Sequence, residues 1–107
     1  MGFGQDEGVE IDAGFAPAHD GTQWAYSGSL TFANAGSVLA AAAAMRLPDE
    51  GEVDLDNLVE IDSSAVAVLV ALRRRAAEEG KPLSFVHVPP ALVALAEVYD
   101  VEAILRP

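Results

Sequence analysis

One apolar segment limits what this chain can fold into more than any other. Residues 65–72 are eight consecutive alanine, valine and leucine residues, and they directly follow Asp62-Ser63-Ser64. The segment is too short to cross a bilayer, which takes roughly 18 to 20 apolar residues. As a helix it is apolar on every side, whereas a helix at a protein surface has a polar stripe. We therefore expect one side to pack on a sheet and the other to need a further partner.

The start of this helix is the candidate docking site. A helix amino terminus has unpaired amides and about half a positive charge, so Asp62, Ser63 or Ser64 can cap it. Capping alone would account for these residues. The interpretation we favour is that Val66 and Val70 are exposed and form an apolar patch beside a serine that a kinase can modify. These five residues are the predicted partner-binding site, and Ser63 is the candidate phosphorylation site.

Strand and helix patterns alternate along the rest of the chain. This alternation favours crossover connections and a mostly parallel sheet. The predicted fold is one α/β domain with a mixed sheet, an antiparallel amino-terminal edge hairpin and three main helices. In chain order we predict first a hairpin over 15–32 with its turn at Asp20-Gly21 and a helix from Asn34 to Met45. Strands over 52–56 and 59–61 follow, separated by a turn at Asn57, and then a helix over 64–79 that is closed by Gly80. The last elements are a strand over 82–88 and a helix from Pro89-Pro90 to Tyr99, with Leu92, Leu95, Ala96 and Tyr99 on one face.

The first twelve residues differ in composition from the rest of the chain. They contain three glycines and four acidic residues with little apolar periodicity. We predict that residues 1–12 form a flexible acidic arm and that residues 13–107 form the folded domain.

Charge and cysteine content argue against several classes of function. Seventeen acidic and six basic residues give a formal net charge of −11, which repels phosphate backbones and anionic lipids. We therefore expect no nucleic-acid partner and no direct membrane insertion. We interpret the charge first as a contribution to solubility, and attraction of a basic protein partner is the alternative, which charge alone does not separate from it. The chain has no cysteine and its amino terminus has no basic leader before an apolar run, so we expect a cytoplasmic location.

The sequence lacks the signatures of catalysis and of cofactor binding. No glycine-rich phosphate loop joins a strand to a helix. His19 and His87 have no acidic neighbour at metal-ligand spacing. The acidic residues between 54 and 62 do not follow the order of a calcium-binding loop, so we interpret them as solvated charges. We expect no enzymatic activity, no cofactor and no metal site.

Three successive arginines, Arg73 to Arg75, lie near the end of the long helix. Neighbouring helical residues point about 100° apart and cannot converge on one anion. We expect these arginines to complement the helix dipole. Weak surface ion pairs are also predicted, Arg74 with Glu78 and Arg75 with Glu79.

The segment Val53-Asp54-Leu55 followed by Ile61-Asp62-Ser63-Ser64 and an apolar helix resembles the STAS domain. That family comprises carboxyl-terminal domains of sulfate transporters and bacterial anti-sigma-factor antagonists. The resemblance covers roughly residues 15–105, and it makes residues 13–107 a STAS-like domain. This chain has Ala65 where the family usually has glycine, and Ser29 where it usually has glutamate. Segments 27–32, 81–92 and 95–99 are most similar to the B subunit of the lipid-asymmetry-maintenance (Mla) transporters.

The resemblance implies a specific function. Such B subunits are non-catalytic cytoplasmic adaptors that bind the ATPase subunit of a phospholipid-trafficking ABC transporter, and this partner holds them at the inner face of the inner membrane. The hydroxyl residue after the motif aspartate, here Ser63, lies at that interface. The alternative is an anti-sigma-factor antagonist in a partner-switching pathway, whose partners are a serine kinase and an anti-sigma factor and in which Ser63 is phosphorylated.

Overall fold

The computed structural model describes residues 13–105, so the predicted arm over 1–12 lies outside the described residues. Over these residues the fold is α/β, with a four-stranded mixed sheet and three helices, which confirms the predicted fold class. The elements in chain order are β1 (Gly14–Ala18), β2 (Gln23–Leu30), α1 (Ala35–Ala43), β3 (Glu52–Ile61), α2 (Ser63–Glu78), β4 (Ser84–Val86), α3 (Pro90–Val98) and a short 3-10 helix (Glu102–Leu105).

The sheet has the strand order β1-β2-β3-β4. β1 and β2 are antiparallel and form the predicted edge hairpin, whereas β2, β3 and β4 are parallel. His19, Asp20 and Gly21 all have positive φ in the hairpin turn, a conformation that aspartate and glycine tolerate better than most residues. Helices α1 and α2 are the crossovers between the parallel strands, so the start of α2 lies at the carboxyl end of β3.

Strand β3 is continuous, and the predicted turn at Asn57 is wrong. The register between β2 and β3 shifts at two places, where two residues of β2 match three of β3. At the first shift the Asp54 carboxylate accepts a hydrogen bond from the Asp56 amide at 2.8 Å. Such bulges break the regular alternation of buried and exposed residues, which explains why this part of β3 has the sequence pattern of a turn.

The core lies between one face of the sheet and the three helices. Trp24 and Tyr26 from β2 are almost completely buried, and the ring of Phe15 packs edge-on against Tyr26 with centroids 4.7 Å apart. Burial raises the pKa of Tyr26 to about 12. Its hydroxyl donates a 2.6 Å hydrogen bond to the Ser29 carbonyl, so the polar end of this side chain is satisfied. Other fully buried core residues include Leu30, Leu47, Val53, Leu55, Ala65, Leu69, Leu72 and Leu92.

Helix α1 begins after Asn34 as predicted, but the Asn34 side chain does not cap it. Instead its amide group accepts from the Thr31 amide and donates to the Ser29 carbonyl, at 3.0 and 2.9 Å. The side chain therefore closes the loop between β2 and α1. The helix also ends at Ala43, two residues earlier than predicted.

The carboxyl end of α2 follows the prediction closely. Gly80 has a φ of 68°, its amide donates to the Ala77 carbonyl, and the next amide, Lys81, donates to Ala76. This pair of bonds is the Schellman arrangement that glycine favours. Strand β4 is shorter than predicted, because His87, with a φ of 57°, turns the chain away from β3.

Arg75 connects α2 to α1. Its guanidinium donates to the Ala42 and Met45 carbonyls at 3.0 and 2.6 Å, and it forms the predicted pair with Glu79 at 2.8 Å. The predicted Arg74–Glu78 pair is not formed in the described part of the chain. Arg75 therefore ties α2 to the end of α1, adding a second bond to the Ala42 carbonyl, which also accepts from the Met45 amide, and binding the Met45 carbonyl just beyond the helix.

Candidate docking site at the start of helix α2

Asp62 organises the start of α2 with both of its carboxylate oxygens. Oδ1 accepts from the Ser64 amide at 2.8 Å, and Oδ2 accepts from the Phe32 amide at 2.9 Å. The Phe32 amide and then the Ser64 amide lower the pKa of Asp62. One side chain thus caps α2, as one of the three residues that the sequence offers for this role, and also attaches the loop that follows β2 to the same point.

Because Asp62 is the cap, Ser63 is not needed for that purpose. Ser63 is the first residue of α2 and is exposed. Within residues 13–105 its hydroxyl makes no hydrogen bond, whereas the neighbouring Ser64 is half-buried and lies against Asp62. The Ser63 hydroxyl is therefore free to bind another molecule.

A shallow apolar groove lies directly beside Ser63. Its volume is about 280 Å³. One wall is formed by the first turns of α2 and the other by the turn that ends α3. The residues that line it are Ser63, Val66, Ala67, Tyr99 and Val101.

Tyr99 is the prominent aromatic residue of the groove, and the sequence pattern predicts it on the same face of α3 as Leu92, Leu95 and Ala96. Its side chain is 53% exposed, because α3 ends at Val98 and Tyr99 is already the capping residue. Asp100 then takes a left-handed conformation with a φ of 59°, and the Val101 amide donates back to Ala96 at 2.8 Å. This turn directs the chain towards α2. Its sequence signal is weak, because Asp100 stands at the position where a glycine commonly ends a helix.

The predicted exposure of Val66 is wrong. Val66 is 5% exposed and only contributes to the floor of the groove, and Val70 is half-buried against the core. Helix α2 contacts α1, α3 and the 3-10 helix. These elements of the same chain cover the sides of α2 for which the sequence predicts a further partner. What remains open is a narrow strip through Ser63, Ala67 and Arg74.

A second exposed aromatic residue, Phe32, lies on the loop that is bound to Asp62. It is 86% exposed, although its amide is fixed by the Asp62 carboxylate. A large exposed aromatic side chain is typical of an interaction surface. We call the following residues the docking surface: Phe32, Ser63, Val66, Ala67, Tyr99 and Val101.

The structure also places His87 against an acidic residue that is distant in the sequence. Its Nδ1 lies 3.0 Å from Asp54 Oδ1, because β4 pairs with β3 at this level. The hydrogen bond to Asp54 and its charge raise the pKa of His87. Burial alone would raise the pKa of Asp54, but the Asp56 amide and His87 together lower it. In residues 13–105 no three potential ligands come close enough to form a metal site.

No helix within residues 13–105 combines the length and apolarity needed to cross a bilayer. A family model described as "Mlab, STAS domain" matches residues 19–107. No curated protein matches the chain.

Proposed function

Because the chain belongs to the STAS-domain family, we propose from its docking surface that it is a non-catalytic cytoplasmic adaptor for the ATPase subunit of a phospholipid-trafficking ABC transporter. In this proposal it binds that subunit, stabilises or regulates it, and is held by it at the inner face of the inner membrane. The family description that names Mlab supports this branch of the family. The observation that carries the proposal is the exposed Ser63 hydroxyl, released from capping by Asp62, beside an apolar groove.

The shape of the surface suits a protein partner better than a small molecule. Small-molecule sites are usually concave pockets of roughly 300–1,000 Å³ that enclose most of the ligand. The groove, at about 280 Å³, is at the small end of that range and is shallow, and Tyr99 on its wall and Phe32 on the loop bound to Asp62 are exposed. Aromatic residues of this kind are frequent energetic centres of protein interfaces. Binding only the folded ATPase subunit would stabilise it by mass action.

An anti-sigma-factor antagonist is the second candidate, because one observation favours it. Ser63 is an exposed hydroxyl at a helix amino terminus, where a phosphate would find backbone amide donors. The phosphate would also place roughly two negative charges on the docking surface, close to the Asp62 carboxylate. In this candidate, phosphorylation of Ser63 by a serine kinase prevents binding of an anti-sigma factor without unfolding the domain.

Ser63→Asp is the variant that tests the proposal, with Ser37→Asp as its matched control. Both serines are exposed and lie in the first turn of a helix, where an added carboxylate favours the helix dipole. We expect Ser63→Asp to weaken binding to the transporter ATPase subunit of the same genome at least about tenfold. Ser37→Asp should leave binding unchanged, and both variants should melt within a few degrees of the wild type.

Calorimetry with the purified ATPase subunit and intact-mass spectra of the protein from cells separate the two candidates. Failure to bind the ATPase subunit, together with tight binding to a serine kinase or an anti-sigma factor and a phosphorylated Ser63, would replace the first proposal with the second. A large loss of thermal stability in Ser63→Asp would mean that Ser63 is mainly a structural residue.

A further inference from the structure

The charged residues that neighbour the docking surface in the sequence are all acidic. Within three positions of the residues that form the surface, the described chain has five carboxylates and no basic residue. Asp62 is used in capping, and the others form no ion pair within residues 13–105. The five are Glu60, Asp62, Glu97, Asp100 and Glu102.

Most basic residues of the described chain lie towards the opposite end. Arg73 is ten residues from Ser63, roughly 15 Å along a helix, but its guanidinium reaches the 3-10 helix and donates to the Ile104 carbonyl at 2.7 Å, two residues from Glu102. Arg46 lies just beyond the carboxyl end of α1, and Lys81 lies just beyond that of α2. These two helix ends are close together, because Arg75 of α2 binds the Met45 carbonyl after α1. At physiological salt the Debye length is about 8 Å, so the cations at the far end barely compensate the charge at the docking surface, and Arg73 offsets it only on the side of Glu102.

We propose that the docking surface receives a basic segment of the ATPase subunit, in which one apolar side chain enters the groove between Ser63 and Tyr99 and flanking Lys or Arg side chains face Glu97, Asp100 and Glu102. This inference rests on the proposed function and adds the chemistry of the partner. Covering these carboxylates with an apolar or acidic surface would remove them from water without compensation, which is costly. A segment with cations at both sides of its apolar side chain avoids that cost and is attracted from a distance.

The test compares two identical charge reversals at opposite ends of the molecule. Glu97→Lys changes an exposed residue in the last turn of α3 beside the groove, and Glu78→Lys changes an exposed residue in the last turn of α2. A lysine suits both positions, because it complements the helix dipole. The association rate constant of each full-length variant with the ATPase subunit is measured by stopped-flow at about 0.05 M and about 0.5 M salt.

We expect Glu97→Lys to slow association about fivefold at low salt, with the effect largely lost at high salt, and Glu78→Lys to change the rate less than about twofold. Tight binding that neither variant nor salt alters would overturn the basic-segment proposal and leave the proposed function standing. Absence of any binding to the ATPase subunit would instead refute the proposed function.

A second measurement tests the chemistry without the ATPase subunit. A library of displayed random peptides is selected on the full-length protein, and peptides that also bind Tyr99→Ala are removed. We expect the remaining peptides to contain an aromatic or aliphatic residue flanked by Lys or Arg. Enrichment of neutral or acidic peptides, or failure to recover any peptide that requires Tyr99, would overturn the inference.

Discussion

Arg75 is predicted to stabilise the fold by joining two helices, and replacing it isolates this effect. Arg75→Met keeps most of the apolar stem but removes the donors to the Ala42 and Met45 carbonyls, at 3.0 and 2.6 Å, and the pair with Glu79. A lysine could not replace both bonds, because they need the planar fork of a guanidinium.

The magnitude follows from the two bonds to α1. A hydrogen bond from a charged donor contributes roughly 1.5–3 kcal/mol, and the Arg75 side chain is still 25% exposed, which favours the lower end. The pair with Glu79 adds little because it is close to solvent. We therefore expect Arg75→Met to lower the free energy of unfolding by about 2–3 kcal/mol, which for a domain of this size corresponds to a fall in Tm of roughly 8–20 °C.

Urea denaturation followed by tryptophan fluorescence measures this loss, because Trp24 is the single tryptophan and is buried. Arg74→Met is the matched control, since Arg74 is exposed on the same turn and its replacement should change stability by less than about 0.5 kcal/mol. If the two variants lost the same amount, the connection between α1 and α2 would not stabilise the fold. At a temperature where it is folded, Arg75→Met should still bind the ATPase subunit normally, because Arg75 is far from the docking surface.

Two further predictions concern stability. The His87–Asp54 pair raises the pKa of His87 above its ordinary value of 6.5. The stabilisation that the pair contributes is therefore complete below pH 6.5 and is lost as the pH rises through the pKa of His87 in the folded protein. Thermal melts at a series of pH values should show this loss, and His87→Ala should remove the pH dependence. Gly51→Ala should lower the free energy of unfolding by more than about 2 kcal/mol, because Gly51 has a φ of 75° and an added Cβ would lie 2.5 Å from the Pro82 carbonyl oxygen. Gly36→Ala is the control, since nothing lies within 4 Å of its position in α1 and it should gain about 0.5–1 kcal/mol; equal changes in both variants would contradict the steric argument.

Features that depend on a few neighbouring residues could be predicted from the sequence. The alternation of elements gave the correct fold class, Asp62 was among the predicted caps of α2, and Gly80 ends that helix as expected. The turn predicted at Asn57 failed because bulges depend on how β3 pairs with β2, which is far away in the sequence.

The groove could not be predicted for the same physical reason. It forms only when the turn after α3 brings Tyr99 and Val101 against residues 63–67 of α2, and no local pattern encodes that contact. The apolar residues of α2 correctly indicated that the helix is buried. They could not indicate what covers it, which is the chain's own α3 and 3-10 helix and not another protein. Val66 is therefore buried by the fold itself, and only its edge faces the groove.

Ala65 stands where the family usually has glycine, and the structure shows how this difference affects the docking surface. Ala65 is completely buried, so the methyl group that it adds relative to glycine packs into the core and does not meet a partner. Ala67, two residues later, is exposed and lines the groove, so the size of the side chain there controls access to the space between Ser63 and Tyr99. Since Asp62 alone caps the helix, Ser63 and Ala67 can change with little cost to folding. The residues that would determine partner choice are thus separated from those that hold the helix in place.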